Sequence, residues 1–200
     1  MLHTFRIVTS LVATAFLTTA AGAATWEIDP AHTSVQFAVR HLMISNVRGE
    51  FTKLAGKVEV DEAAPAAARI EATIDAASID TRNRKRDDHL SSPDFLDVKK
   101  FPTIEFRSTK IEKIADAHWK VTGNLTLRGV TREVVLDLQG PTQQVKDTRG
   151  VHAGAQATTT INRKDFGISW NESLDGGGVL IGEEVSITID VEVIRKPTTP

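Results

Sequence analysis

From Glu184 to Val193 the chain alternates without a break: Val185, Ile187, Ile189, Val191 and Val193 are apolar, and Glu184, Ser186, Thr188, Asp190 and Glu192 are polar. A period of two places each set on its own side of an extended backbone, so this segment is a strand with one dry face and one wet face. Ser34 to His41 repeats the pattern, with Val35, Phe37, Val39 and His41 against Gln36, Ala38 and Arg40. Similar stretches run from Lys57 to Val60, Ile70 to Asp75, Ile104 to Ser108, Trp119 to Leu127, Glu133 to Leu138 and Val151 to Ile161. Turn-forming residues separate them, as at Asp61 to Pro65, Gly140-Pro141 and Asp175 to Gly178. About eight one-faced strands make an all-β protein, and either a sandwich or an up-and-down barrel satisfies them.

Small side chains bear on whether the interior is hollow. Val151, Ala153, Ala155, Ala157 and Thr159 share one face, and Gly56 and Ala72 stand at apolar positions of other strands. An eight-stranded barrel is about the size that encloses one small ligand. On that reading the lumen is lined by Phe37, Val39, Val58, Ile70, Ile74, Phe106, Leu125, Leu136, Ala155, Ile187 and Ile189. The alternative is close packing of the small residues against Trp119 or Trp170.

The N-terminus predicts export. Arg6 precedes a largely apolar run, Ile7 to Ala20, and Ala21-Gly22-Ala23 supplies small residues for cleavage, so residues 1–23 read as a secretory signal. The run is interrupted by Thr9, Ser10, Thr14, Thr18 and Thr19 and falls short of the ~20 apolar residues of a membrane span. Residues 24–195 then form one domain, 196–200 a disordered tail, and no span is expected in the mature chain. Removing Arg6 takes the formal charge from -2 to -3, a balance that argues against nucleic acid as a partner. With no cysteine the chain has neither disulfides nor thiolate chemistry, and an exported chain of this kind suits a bacterial periplasm. The oligomeric state is not legible.

Ionisable residues are densest between Ser78 and Leu96, where Arg82, Arg84, Lys85 and Arg86 lead into Asp87-Asp88-His89-Leu90. Asp80 or Thr81 can cap a short helix here, with Leu90 and Phe95 docking it on the sheet. Such a helix is a lid or headgroup clamp over a barrel end, or simply a solvated charged face. Catalytic constellations are lacking. His32, His41, His89, His118 and His152 show no metal-ligand spacing, so no metal is assigned. There is no Gly-x-Ser-x-Gly elbow, Asp87, His89 and Ser91 diverge on a helix, and Gly176-Gly177-Gly178 lacks the flanking strand and helix of a phosphate loop. Binding rather than catalysis follows. Two alternatives stay open: an enzyme acting on a bound amphiphile through His32, His89 or Arg163, and a barrel-shaped protein-interaction module.

Several motifs in order resemble the YceI-like proteins: Ile28-Asp29-Pro30-Ala31-His32-Thr33-Ser34, Val47-Arg48-Gly49-Glu50-Phe51, Arg86-Asp87-Asp88-His89-Leu90, Gly123-Asn124-Leu125-Thr126-Leu127-Arg128-Gly129 and Asn162-Arg163-Lys164-Asp165-Phe166-Gly167. The resemblance covers nearly all of Trp26 to Ile194. It implies an extended eight-stranded antiparallel, lipocalin-like barrel with a short helix over one end. It also implies an isoprenoid lipid or quinone along the axis as the sole ligand and no other cofactor; the expected mouth combines His32, Arg86, His89 and Arg163 of these motifs with Arg82, which lies outside them.

Overall fold

The computed structural model describes residues 23–174 and 177–197. Residues 1–22 of the expected signal peptide and the last three residues of the expected tail lie outside them.

In chain order come β1 (Ala24–Ile28), β2 (Ser34–His41), β3 (Ser45–Phe51), β4 (Leu54–Val60), β5 (Arg69–Asp75), β6 (Ile79–Asp80) and α1 (Arg84–Leu90). Then follow β7 (Thr103–Ala115), β8 (His118–Leu127), β9 (Val130–Gln139), β10 (Val145–Lys146), β11 (Val151–Asn162) and β12 (Ile181–Arg195). The strands extend the alternating segments of the sequence, because hydrogen bonding continues past the last apolar residue in positions where a polar side chain simply faces water.

Antiparallel pairing closes these strands into a barrel. Both β1 and β2 pair with β12, at 193–194 and at 181–190, so together they occupy one position in the wall. Likewise β3 and β4 pair with β2 and β1, and β5 with β6 continues the next position. Then come β7, β8, β9, β11 and β12, with β12 returning to the start, which makes eight wall positions. Closure covers most strand edges, but residues 130–136 of β9 have no register partner on the β11 side. The seam between β9 and β11 is the narrowest joint, with register partners only at 137–139 and 156–158.

The two ends of the barrel are built differently. At one end Ala76, Ile79, Phe95, Leu96, Ile104, Leu127, Ile161, Phe166 and Ile168 form a buried core, with Leu90 of α1 packed against it. The β8–β9 hairpin joins this end through Arg128 and Gly129, at φ 51° and 73°. Two successive positive φ values make the tight turn that suits a twisted hairpin, and Gly129 has a second reason to be glycine. A Cβ there would stand 2.4 Å from the Phe101 ring. Toward the other end a smaller buried cluster of Val121, Leu136 and Ala157 packs in the wall, and an open interior runs along both halves.

One detail of the helix differs from expectation. Its N-cap is Asn83, whose side chain accepts from the Arg86 N–H, rather than Asp80 or Thr81. Asp80 instead pairs in β6 and its carboxylate accepts from the Arg82 N–H, which sets the turn at Arg82, φ 60°. Thr81 is 3% exposed and is clamped from the helix: Asp87 Oδ1 accepts from its N–H and hydroxyl, while Arg86 donates to its Oγ1 and carbonyl.

Candidate lumen and its mouth

The barrel encloses a cavity of about 1260 Å³. That exceeds the ~300–1,000 Å³ common for drug-sized ligands and suits an elongated one. All eleven residues assigned to the inner face by alternation line it, together with Ala153, Ala157 and Thr159 of the small-residue face of β11. Gly56 serves a different purpose. A Cβ there would meet the Glu71 carbonyl at 2.4 Å and the Ile28 side chain at 2.6 Å, so it lets neighbouring groups approach rather than widening the lumen.

Charge along the lining is lopsided. Arg40, Lys85, Arg86 and Arg163 border the cavity toward α1, where β2, the helix and the start of β12 frame a mouth, and Glu62 is the acid at the other end. The four cations are not equivalent. Arg163 is 4% exposed. Its Nε donates to Gly182 O at 2.9 Å, Nη1 to Ile168 O at 2.8 Å and Trp170 O at 2.9 Å, and Nη2 reaches Ile181 O at 3.4 Å. Burial pushes the guanidinium pKa below its usual value, and the carboxylate of Glu183 opposes that shift. Arg163 therefore fastens the 163–170 segment to β12 and has no fork left for a headgroup. Arg86 is committed to Thr81 in the same manner. Lys85 is exposed, and Arg40 ties the β2–β3 turn by donating to Met43 O at 2.7 Å.

His89 docks the helix. Its ring meets Phe95 and Trp170 edge-on, with centroids 5.0 and 4.8 Å apart, and Nε2 lies 3.0 Å from Asp94 Oδ2. Among the described residues Asp94 is its polar side-chain partner, so no nucleophile is aligned with it. Two of the expected mouth residues stand elsewhere. Arg82 is exposed at the turn after β6 and does not border the cavity. His32 lies outside the wall, because Val191 and Val193 face inward and its neighbour Glu192 therefore faces out.

That outer face carries a polar network which sequence spacing could not reveal. His32 Nδ1 sits 3.0 Å from Asp29 Oδ2, and Arg149 Nη1 reaches the same oxygen at 3.5 Å. Asp147 and Glu192 hold the two ring nitrogens of His152, at 3.0 and 2.7 Å. Hydrogen bonds to these carboxylates raise the His152 pKa against its burial, and that same hydrogen bond with His152 leads the causes that hold Asp147 far below the carboxylate range. Asp29 is lowered chiefly by His32. Asp29, His32 and Glu192 bring ligand atoms within 4.8 Å of one another and are the residues that could hold a cation, although Arg149 already supplies positive charge there.

The comparisons with known proteins agree with this architecture. A UPF0312 protein of Staphylococcus aureus is 36% identical over 166 residues, which span 82% of this chain and 94% of that protein. The crystal structure of a Campylobacter jejuni YCEI protein superposes with a TM-score of 0.66 at 32% identity, covering 79% of this chain and 90% of that one. A polyisoprenoid binding domain from Saccharophagus degradans shares the fold, with a TM-score of 0.61 at 15% identity, 88% of this chain and 99% of that one. The sequence profile of the YceI-like domain matches residues 26–193, so the chain belongs to the YceI-like domain family.

Proposed function

We propose that this protein is an exported carrier that holds one prenyl-tailed amphiphile, an isoprenoid lipid or isoprenoid quinone, in its lumen without chemically altering it. The observation that carries this reading is a long apolar cavity inside a closed barrel, with its cations gathered at one mouth. Transfer of a hydrocarbon chain into such a lumen contributes about 0.8 kcal/mol per buried CH₂, so affinity needs no charged contact along the wall. The description of the S. degradans neighbour as a polyisoprenoid binding domain supports the same ligand class. The periplasm is the proposed compartment, on the strength of the N-terminal sequence, and the role is carriage, storage or stress protection.

Native mass spectrometry of the protein purified from its own cell envelope tests the proposal. A bound lipid of prenyl type is expected, lost or reduced in Ala155→Phe, whose side chain would enter the lumen. Absence of any lipid, together with failure to take up added prenyl diphosphates and quinones, would overturn it.

A further inference from the structure

The turn between β2 and β3 departs from hairpin chemistry in two ways. Leu42 and Met43 sit at its centre with φ of 52° and 61°, and the Ile44 N–H donates to the His41 carbonyl at 3.1 Å to close it. Two successive left-handed residues at a hairpin tip are ordinarily Asn and Gly, because larger side chains are strained there. Here both are bulky and apolar. Met43 is 51% exposed and Ile44, the next residue, 76%, the most of any large apolar side chain among the described residues. Single exposed apolar residues are ordinary, but consecutive ones held out by a strained turn call for a contact outside the chain.

That turn stands on the rim of the lumen. Arg40, His41 and Val47, which flank it, border the cavity, as do Leu180 and Ile181, and the Leu42 N–H donates to the Leu180 carbonyl at 2.8 Å. Cations gather beside it. β6 runs antiparallel to β3 with Asp80 opposite Glu50, so the residues after it pass back along β3 toward the turn. A Cβ on Gly49 would meet Thr81 Cγ2 at 2.7 Å, which sets 81 beside 49, and the exposed Arg82, Arg84 and Lys85 follow. Across residues 40–50 and 80–88, six cations face four acids, so this rim is positive in a chain whose net charge is -2. Two of those acids, Asp80 and Asp87, are engaged by the N–H groups of Arg82 and Thr81. Glu172 is an exposed acid on the other side of the turn.

We propose that this rim docks on an anionic phospholipid bilayer, with Met43 and Ile44 entering the acyl region and Arg82, Arg84 and Lys85 lying against the phosphates. The proposal rests on the lumen being a carrier for prenyl-tailed lipids, and it names the partner from which the carrier loads. With the rim seated, the cavity opens onto the membrane and a tail passes from acyl chains to lumen without crossing water. Apolar insertion and basic attraction reinforce each other, each being weak alone. A groove on another protein would match the apolar pair, but it gives no reason for a lipid-sized cavity to open beside it.

Sedimentation of the full protein, purified from its own cell envelope, with vesicles of mixed phosphatidylcholine and phosphatidylglycerol tests this. Ile44→Ser should weaken binding about tenfold, and Arg82→Ser combined with Arg84→Ser about tenfold at low salt but little at high salt. Neither change should alter uptake of a benzoquinone bearing a ten-carbon tail in vesicle-free solution, since none of these side chains borders the cavity. Ile44→Trp adds an indole that brominated acyl chains should quench, whereas Ile114→Trp, near the far end of β7, should escape quenching. Vesicle binding that ignores both substitutions, or quenching at 114 rather than 44, overturns the docking face. So does self-association in vesicle-free solution that Ile44→Ser abolishes, which would seat a second copy on the turn. If vesicles are not bound while the quinone is taken up, the docking falls and the carrier stands. Failure of the unsubstituted protein to bind either one overturns the carrier reading as well.

Discussion

The helix end and the opposite end of this barrel use similar inward-facing strands to different purposes. Under α1 the packed core is larger: Phe166 is 1% exposed, Ile168 and Phe95, which also border the cavity, are 5% exposed, and the buried Arg163 is fully engaged by carbonyls. In the other half the buried cluster is smaller, Val121, Leu136 and Ala157, and Ala153, Ala155 and Ala157 border the cavity. The larger packed cluster thus sits at the helix end, while the cavity is bordered by residues of both ends. A barrel that filled both halves would be more stable and could hold nothing.

Truncations should expose this asymmetry most strongly. Phe166→Ala opens a void in a packed core and should cost about 4 kcal/mol, with Ile168→Ala near 3 kcal/mol. Leu138→Ala removes a side chain that borders the cavity and, unlike Ile168, is only half-buried, so it should cost only about 1 kcal/mol, the transfer contribution with little added cavity. Urea unfolding of the lipid-free protein measures all three. A Leu138→Ala cost as large as that of Ile168→Ala would show that the far half is as tightly packed as the helix end. Arg163→Lys comes next, at about 2 kcal/mol, because a single ammonium cannot reach the carbonyls that the guanidinium serves together.

Much of this contrast was legible in the sequence, and the reasons it was not wholly so are local. The inward face follows from period two, and the eleven side chains assigned to it do line the cavity. Alternation is a property of each strand alone, so it survives without knowledge of the partners. The mouth was harder to read, because α1 lies outside that periodicity and its charged residues divide their duties. Arg86 and Arg163 look like headgroup ligands in a sequence but donate to Thr81 and to backbone carbonyls, whereas Arg82 turns away at a positive φ. His32 was misplaced for the same reason. Asp29, three residues before it, is its hydrogen-bond partner, but Glu192 and Arg149, which complete the cluster, lie more than a hundred residues away, and no short motif encodes them.

Smaller effects should separate the mouth's cations. Lys85 borders the cavity and is exposed, so Lys85→Ser should weaken binding of a prenyl phosphate about threefold at low salt and scarcely at all at high salt, where exposed charges are screened within a few ångströms. Arg82→Ser should leave affinity unchanged at both salt concentrations. Calorimetric titration with the phosphate and with its neutral alcohol provides the comparison. Equal losses from the two substitutions would mean that the mouth acts through a diffuse field rather than through the residues that border it.

The smallest effect belongs to the outer surface of the far half, where His152 bridges Asp147 and Glu192. Hydrogen bonds to Asp147 and then Glu192 raise the folded-state pKa of His152, while burial and the charge of Arg149 work against them. A histidine whose pKa is raised by folding binds its proton more tightly when folded. Its contribution is therefore complete below the unfolded value, about 6.5, and fades as pH rises through the folded value. Asp147 runs the other way: its folded pKa is depressed, so its contribution is present above about 3.9 and lost only as pH falls toward the depressed value. Both contributions are whole between those limits, in mildly acidic solution. Melting temperatures measured from pH 5 to 9 should thus show a decline above about pH 6.5 in the unsubstituted protein. In His152→Gln that decline should flatten, because the amide keeps a polar group between the carboxylates but does not titrate. Parallel curves for the two proteins would mean that the bridge is neutral throughout, and that this end of the barrel is held by its strands alone.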